Sequence, residues 1–273
     1  MLALAILALS AGTVLAETYI EAYLGNNFTV SSPNPLELDV NPAFRGPTTT
    51  SLNFPRTLGS AFMVGGKLGF WFSKDGFPKL DYPDWMKYLG FYLDCSVHGF
   101  LPLDNQGSQR LNFSPSPYPH YVFYKFKGGP NASITTISFM FAFRYGFFPR
   151  KKVPFGKLQP YAAVGPAIFI TSLQPTLLIQ PKSVNKVELF PTVGNYFRTF
   201  TGSFKSAVTL GLATELGLRY MITRFLSLET SVKYRLTRPS LSYDINIDGF
   251  THQLTYAPQL NLFSIQTGIA YHF

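Results

Sequence analysis

Residues 207–220 read AVTLGLATELGLRY. One face of this stretch carries Val208, Leu210, Leu212, Thr214, Leu216, Leu218 and Tyr220; the other carries Thr209, Gly211, Ala213, Glu215, Gly217 and Arg219. A period of two marks a β-strand, whose successive side chains point to opposite sides. The stretch is longer than the ~5–6 residues usual in globular strands. It suits a membrane-crossing strand, which needs about 9–11 residues at a tilt.

Seven further segments alternate in the same way: Thr18–Asn26, Ala61–Phe72, Tyr88–Gly99, Ile134–Phe147, Leu158–Thr171, Leu226–Thr237 and Asn261–Phe273. In Ile134–Phe147 one face is Thr135, Ile137, Phe139, Phe141, Phe143, Tyr145 and Phe147. The charges inside the segments are Glu21, Lys67, Asp94, Arg144, Glu215, Arg219, Glu229, Lys233 and Arg235, and all lie on the small, polar face. A charge facing lipid at mid-bilayer costs about 2–4 kcal/mol, which explains a bulky face free of them. In a soluble sandwich or barrel the bulky face would point inward. The strand lengths favour the inverted arrangement. The expected fold is all-β, an eight-stranded antiparallel up-and-down transmembrane β-barrel with long external loops.

The connections support it. Residues 27–60, 100–133, 172–206 and 238–260 are long, whereas 73–87, 148–157 and 221–225 are shorter. Outer-membrane barrels have short periplasmic turns and longer external loops. With both termini in the periplasm, all four long links fall outside the cell. Trp71, Phe72, Tyr145, Phe147, Tyr220, Tyr271 and Phe273 then gather at the periplasmic strand ends as an interfacial girdle. Residues Tyr121–Lys127, in a long link, are strand-like and would extend a strand above the membrane.

Composition fits a membrane barrel. Of 273 residues, 46% are hydrophobic, 16% aromatic and only 14% charged, where soluble domains carry about 25% charged. Residues 1–16, MLALAILALSAGTVLA, form an uncharged apolar run ending in small residues. That is the pattern of a secretory signal peptide, although no basic residue precedes it. The barrel domain is expected over 17–273. No other apolar run approaches the ~20 residues of a spanning helix. A single cysteine, Cys95, excludes an intrachain disulfide framework.

The chain resembles the OmpA-like family of small outer-membrane barrels. Gly268–Phe273 is similar to the family's last strand, Leu158–Gly165 to its fifth, Gly211–Arg235 to its sixth and seventh, and Tyr19–Gly25 to its opening. The resemblance implies that Tyr271 and Phe273 form the signal read by the barrel-assembly machinery. The long loops match no pattern of the family.

The lumen is where the sequence points for chemistry. Its strand charges are nearly balanced. Centring the 221–225 hairpin on Ile222-Thr223-Arg224 sets Gly217 opposite Glu229, with Glu229 diagonal to Glu215 and Arg219. A lumen network of Glu215, Arg219, Glu229 and Lys233 follows, joined by Arg235 and Arg144. Its expected role is to plug the interior, since a lone buried charge is costly; a gate is the sharper alternative. Eight strands leave an interior just wide enough for side chains, so a general porin is not expected and a narrow or gated channel stays open.

Three other chemistries have weaker support. Asp94, Ser96 and His98 share one face. Alternate strand residues lie about 6–7 Å apart, too far for a direct serine–histidine bond, so a lipid-modifying enzyme ranks third. The histidines His98, His120, His252 and His272 lack metal-ligand spacing, and no cofactor is expected. Cys95 is expected to face lipid. Most of the net charge of +9 lies in turns and loops: one cluster is the turn Arg150-Lys151-Lys152, and on the outside Arg45, Arg56, Arg110, Lys125, Lys127, Lys182, Lys186, Arg198, Lys205 and Arg238 outnumber nearby acids. This outer basic rim fits lipopolysaccharide phosphates in the outer-membrane lipid, or is simply a solvated surface. Nucleic acid is not an expected partner. The leading expectation is a structural or surface-interaction role through the external loops.

Overall fold

The computed structural model describes residues 17–31, 35–39, 49–53, 57–72, 83–99, 105–111, 120–128, 132–151, 153–183, 198–247 and 250–273. The leader expected over 1–16 lies outside them, as do Arg45, Arg56 and Lys186 of the outer basic rim and Lys152 of the 148–157 turn. The strands are β1 Glu17–Ser31, β2 Pro35–Asp39, β3 Thr49–Asn53, β4 Thr57–Trp71, β5 Leu89–Gly99, β6 Asn105–Leu111, β7 His120–Gly128 and β8 Ser133–Arg144. They continue as β9 Leu158–Leu173, β10 Pro175–Ser183, β11 Arg198–Thr201, β12 Lys205–Met221, β13 Leu226–Thr237, β14 Leu241–Ile247, β15 Phe250–Tyr256 and β16 Leu260–His272.

Eight of them close into a barrel in the order β1-β16-β13-β12-β9-β8-β5-β4. Every neighbouring pair is antiparallel, and β1 closes the ring by pairing with both β16 and β4. These are the eight alternating segments of the sequence. Residues Tyr145–Phe147, expected within a strand, fall beyond the end of β8. There the chain turns at Phe148, whose φ is 57°, and Gly146 lies against the Phe155 carbonyl.

The bulky faces point outward on every barrel strand. Phe141 and Leu216 are 65% and 66% exposed, and Leu24, Phe62, Val97, Val164, Val232 and Ile269 are exposed with them. Soluble monomers rarely carry a large continuous apolar patch, whereas this one encircles the molecule. It is the lipid-facing band of a membrane barrel. Cys95 lies in that band, between Leu93 and Val97, and is exposed. In a bilayer it should react with a charged, membrane-impermeant maleimide only after unfolding. Rapid labelling of the folded protein would show that water, not lipid, covers the band.

The long connections rise from one end, the loop end, as hairpins. They pair into two four-stranded sheets, β11-β10-β7-β6 and β14-β15-β2-β3. The strand-like segment Tyr121–Lys127 belongs to β7. The opposite, turn end carries Tyr145, Phe147, Tyr220, Tyr271 and Phe273 on its outward rim. Trp71 differs from the expected girdle: it points into the lumen and is 1% exposed. Even so, it occupies the turn end, beside Arg144.

Candidate functional site

The inward faces of the barrel strands meet in a lumen filled by side chains. All nine charges of the polar face are buried there. Lys67 of β4 is the hub. Its Nζ lies 2.7 Å from Glu215 Oε1, 2.5 Å from Glu229 Oε1 and 3.3 Å from Glu21 Oε1. It also stands 5.5 Å from the ring centroids of Tyr23, Tyr92 and Tyr161. The Tyr161 hydroxyl accepts from Lys67 at 3.2 Å and contacts both Glu215 Oε1, at 2.6 Å, and Glu229. Tyr92 and Gln266 donate to Glu215 at 2.9 and 3.2 Å. Arg219 holds Glu229 Oε2 through Nε and Nη2 at 2.9 and 2.8 Å.

A second cluster adjoins the hub. Lys233 pairs with Asp94 and lies 3.4 Å from Glu215 Oε2, while Tyr23 donates to Asp94. These contacts cross the barrel. In the ring of eight, β4 stands opposite β12, and β5 opposite β13. The Lys67–Glu215 and Lys233–Asp94 pairs therefore each bridge the full lumen. Buried ions need both an opposite charge and hydrogen bonds to their remaining atoms, and tyrosine hydroxyls supply much of the second requirement.

The hairpin register differs from the expected one. Arg219 faces Glu229 and Glu215 faces Lys233, with Gly217 opposite Ser231. The turn sits one residue later because Thr223 Oγ1 accepts from the amides of Phe225 and Leu226, at 3.1 and 3.0 Å. This local hydroxyl turn fixes the corner that chain length alone left open. In this register the opposite charges are direct cross-strand neighbours rather than diagonal ones, which brings them closer.

Glu215, Arg219, Glu229 and Lys233 come together, whereas the other two expected members do not. Arg144 ends β8 at the turn end. Its guanidinium lies between Trp71 and Phe155, 4.3 and 4.1 Å from their centroids, and binds Glu17 Oε2 at 2.5 Å. Arg235 sits nearer the loop end and meets neutral acceptors: Ser264 at 2.6 Å, Ser96 at 2.9 Å, and Thr136 and Asn27 at 3.3 Å. Beyond it the lumen turns apolar, with Ile134, Phe169, Leu173, Tyr243, Leu260 and Leu262 buried together.

The residues considered for catalysis are engaged elsewhere. Ser96 Oγ accepts from Arg235, His98 Nδ1 is 3.1 Å from the Gly99 carbonyl, and Asp94 is held by Lys233 and Tyr23. A serine–histidine–carboxylate series does occur at the turn end. Ser227 Oγ is 2.8 Å from His272 Nε2, and His272 Nδ1 is 3.3 Å from Glu17 Oε1. Ser227 is wholly buried, so the series is a strut joining β13, β16 and β1 rather than an accessible nucleophile. No His, Cys, Asp or Glu cluster suited to a metal occurs among the described residues. Tyr271 and Phe273 point outward at the turn end with their rings 5.1 Å apart, and the Phe273 amide binds the Thr18 carbonyl at 3.0 Å.

The chain resembles solved outer-membrane proteins. OprG of Pseudomonas aeruginosa is 13% identical, with a TM-score of 0.45 over 94% of this chain and 96% of that one. A major outer-membrane protein of Thermus thermophilus is 12% identical, with a TM-score of 0.42 over 94% and 99%. Neisserial surface protein A is 10% identical, with a TM-score of 0.39 over 94% and 97%. No family model and no curated protein matches the chain. These likenesses concern the fold and assign no task to the lumen.

Lys67, Glu21, Asp94 and the three tyrosines were missing from the expected network. Their inward positions were legible from alternation. Their meeting across the ring was not, because it depends on which strands stand opposite one another.

Proposed function

We propose that this chain is an integral protein of a bacterial outer membrane whose barrel is a sealed anchor and whose working surface is the loop end. The location is supported by a lipid-facing band carried on strands and by long connections gathered at one end. The observation that carries the sealed reading is the pair of ion bridges spanning the lumen, Lys67–Glu215 and Lys233–Asp94. With the tyrosines between them and the apolar layer beyond, these bridges leave the anchor role to the barrel and interaction to the two sheets above it. In this orientation the loop end faces outside and the termini face the periplasm. Tyr271 and Phe273 then stand where the assembly machinery would read them. The basic residues of the loops favour a polyanionic surface partner such as lipopolysaccharide phosphate.

The test is conductance of the purified, refolded barrel in a planar bilayer. A folded barrel should be silent. Discrete openings that change in Arg219→Ala or Glu229→Ala would overturn the sealed reading and make the network a gate.

A further inference from the structure

The two loop-end sheets carry opposite charge. Strands β6, β7, β10 and β11 contain Arg110, Lys125, Lys127, Lys182 and Arg198 and no acid. Strands β2, β3, β14 and β15 contain Glu37, Asp39 and Asp244 and neither lysine nor arginine. Register gathers these charges on single faces, because residues opposite one another on paired strands share a side of the sheet. In the basic sheet Arg110, Tyr121 and Lys182 form one row across β6, β7 and β10. Gln106, Lys125 and Leu178 form a second row, and Lys127 stands opposite Thr176. Tyr121, Lys125 and Lys127 have the same parity along β7, so four of the five cations share one face. Val122, Tyr124, Phe126, Leu177 and Ile179 belong to the other face, with Arg198 opposite Ile179 on the edge strand β11.

The acidic sheet is built the same way. Asp244, Gln253, Asp39 and Thr49 form one row across its four strands. Ser242, Thr255, Glu37 and Ser51 form the next. All three acids therefore share a face. Asp244 and Gln253 on that face are exposed, whereas Leu241, Tyr243 and Tyr256 on the other are buried. The Tyr243 hydroxyl donates to the Leu173 carbonyl at 2.9 Å, so the apolar face turns in over the barrel mouth. This inverts the pattern of the barrel wall: apolar residues lie inside and charge lies outside. A sheet that has left lipid for water should be built so.

The two sheets stand over opposite halves of the ring. The basic one is formed by the links β5–β8 and β9–β12, and the acidic one by the links β1–β4 and β13–β16. In the ring β12, β9, β8 and β5 are consecutive, as are β4, β1, β16 and β13. Copies of this chain in one membrane all stand upright in the same sense. The acidic half of one therefore comes to the same height as the basic half of the next. The basic face alone would suit any polyanion. The acidic face has no use for a polyanion, and the two faces together complement a second copy.

We infer that copies of this protein associate side by side in the membrane, the basic face of one loop-end sheet against the acidic face of the neighbour's. The two surfaces differ, so the contact is heterologous and repeats from copy to copy, giving rows rather than closed pairs. Exposed ion pairs are individually weak and screened by salt, so the rows depend on several pairs acting together. This rests on the reading of the loop end as the working surface and makes another copy its partner.

The full chain, carrying a donor or an acceptor dye at its amino terminus, would be refolded into preformed phosphatidylcholine vesicles and energy transfer between copies measured. The parent should show transfer well above that of random dispersal. Raising the salt from about 0.01 to about 1 M shortens the screening length from about 30 to about 3 Å and should cut the transfer by about threefold or more. Reversing the basic face with Lys125→Glu, Lys127→Glu and Lys182→Glu should abolish transfer. Reversing the acidic face with Glu37→Lys, Asp39→Lys and Asp244→Lys should do the same. Mixing the two reversed proteins should restore transfer, which also shows that both are folded. Four results would overturn the proposal: random-level transfer in the parent, transfer that either reversal leaves intact, loss that mixing does not recover, or transfer only in vesicles that contain lipopolysaccharide, which would make a polyanion the occupant of the basic face. Conductance is read separately, so a silent barrel without transfer defeats the pairing and leaves the sealed anchor standing.

Discussion

Lys67→Met is expected to destabilise the barrel by about 3–5 kcal/mol, the range for removing one partner of a buried ion pair. Glu229 would keep Arg219 at 2.8 Å, and Glu215 would keep Lys233 at 3.4 Å. Glu21 would keep nothing comparable: Lys67 is its ion partner, at 3.3 Å, and its Oε2 atom already lacks a hydrogen bond. A carboxylate 2% exposed would then stand uncompensated in a lumen too narrow to hydrate it freely. The measurement is urea unfolding of the refolded protein in micelles, followed by fluorescence of Trp71 and Trp85. A second variant separates loss of charge balance from loss of packing. Glu21→Gln with Lys67→Met removes the orphaned charge and should recover part of the loss, giving a coupling energy between neighbours. A Lys67→Met barrel within about 0.5 kcal/mol of the parent, as for a neutral surface change, would mean that the lumen is hydrated and the hub is not a closed structure.

The same residues show how far a single sequence reaches. Alternation identified the barrel strands and the inward charges because each is a local property: a side chain's face is set by its parity along its own strand. Strand β13, Leu226–Thr237, matches its expected bounds. Partnership is not local. Lys67 and Glu215 meet because β4 and β12 stand opposite in a closed ring of eight, a fact of topology that no stretch of either strand carries. Arg144 and Arg235 have the right parity but the wrong height. One lies at the turn end with Glu17, the other toward the loop end among hydroxyls and amides. The one-residue slip at the β12–β13 corner has a similar origin. Loop length allowed more than one centre, and Thr223 chose between them. The two loop-end sheets were the least legible feature. Each joins hairpins from connections far apart in the chain, such as β2 with β15, and only Tyr121–Lys127 signalled strand character beforehand.

Leu216→Arg is the complementary experiment, because it tests the outer face as Lys67→Met tests the inner one. Leu216 points away from the lumen between Ala162 and Val232, and is 66% exposed. It lies within the band whose turn-end limit is marked by Tyr220. If lipid covers that band, an arginine here should cost about 2–4 kcal/mol, whereas Tyr220→Arg near the interface should cost about 0–1 kcal/mol. The difference is a gradient with depth, and it should be measured by reversible unfolding into and out of phospholipid vesicles. A soluble barrel gives the opposite expectation. An exposed leucine exchanged for arginine would sit in water, and both substitutions would fall within about 0.5 kcal/mol of the parent. The adjacent residue sharpens the contrast: Glu215, one position away, is wholly buried and anchored to Lys67 at 2.7 Å. A charge is thus stabilised on one side of β12 and should be rejected on the other. Equal tolerance at Leu216 and Tyr220 would remove the membrane from the account of this fold, and with it the reason for the aromatic rim.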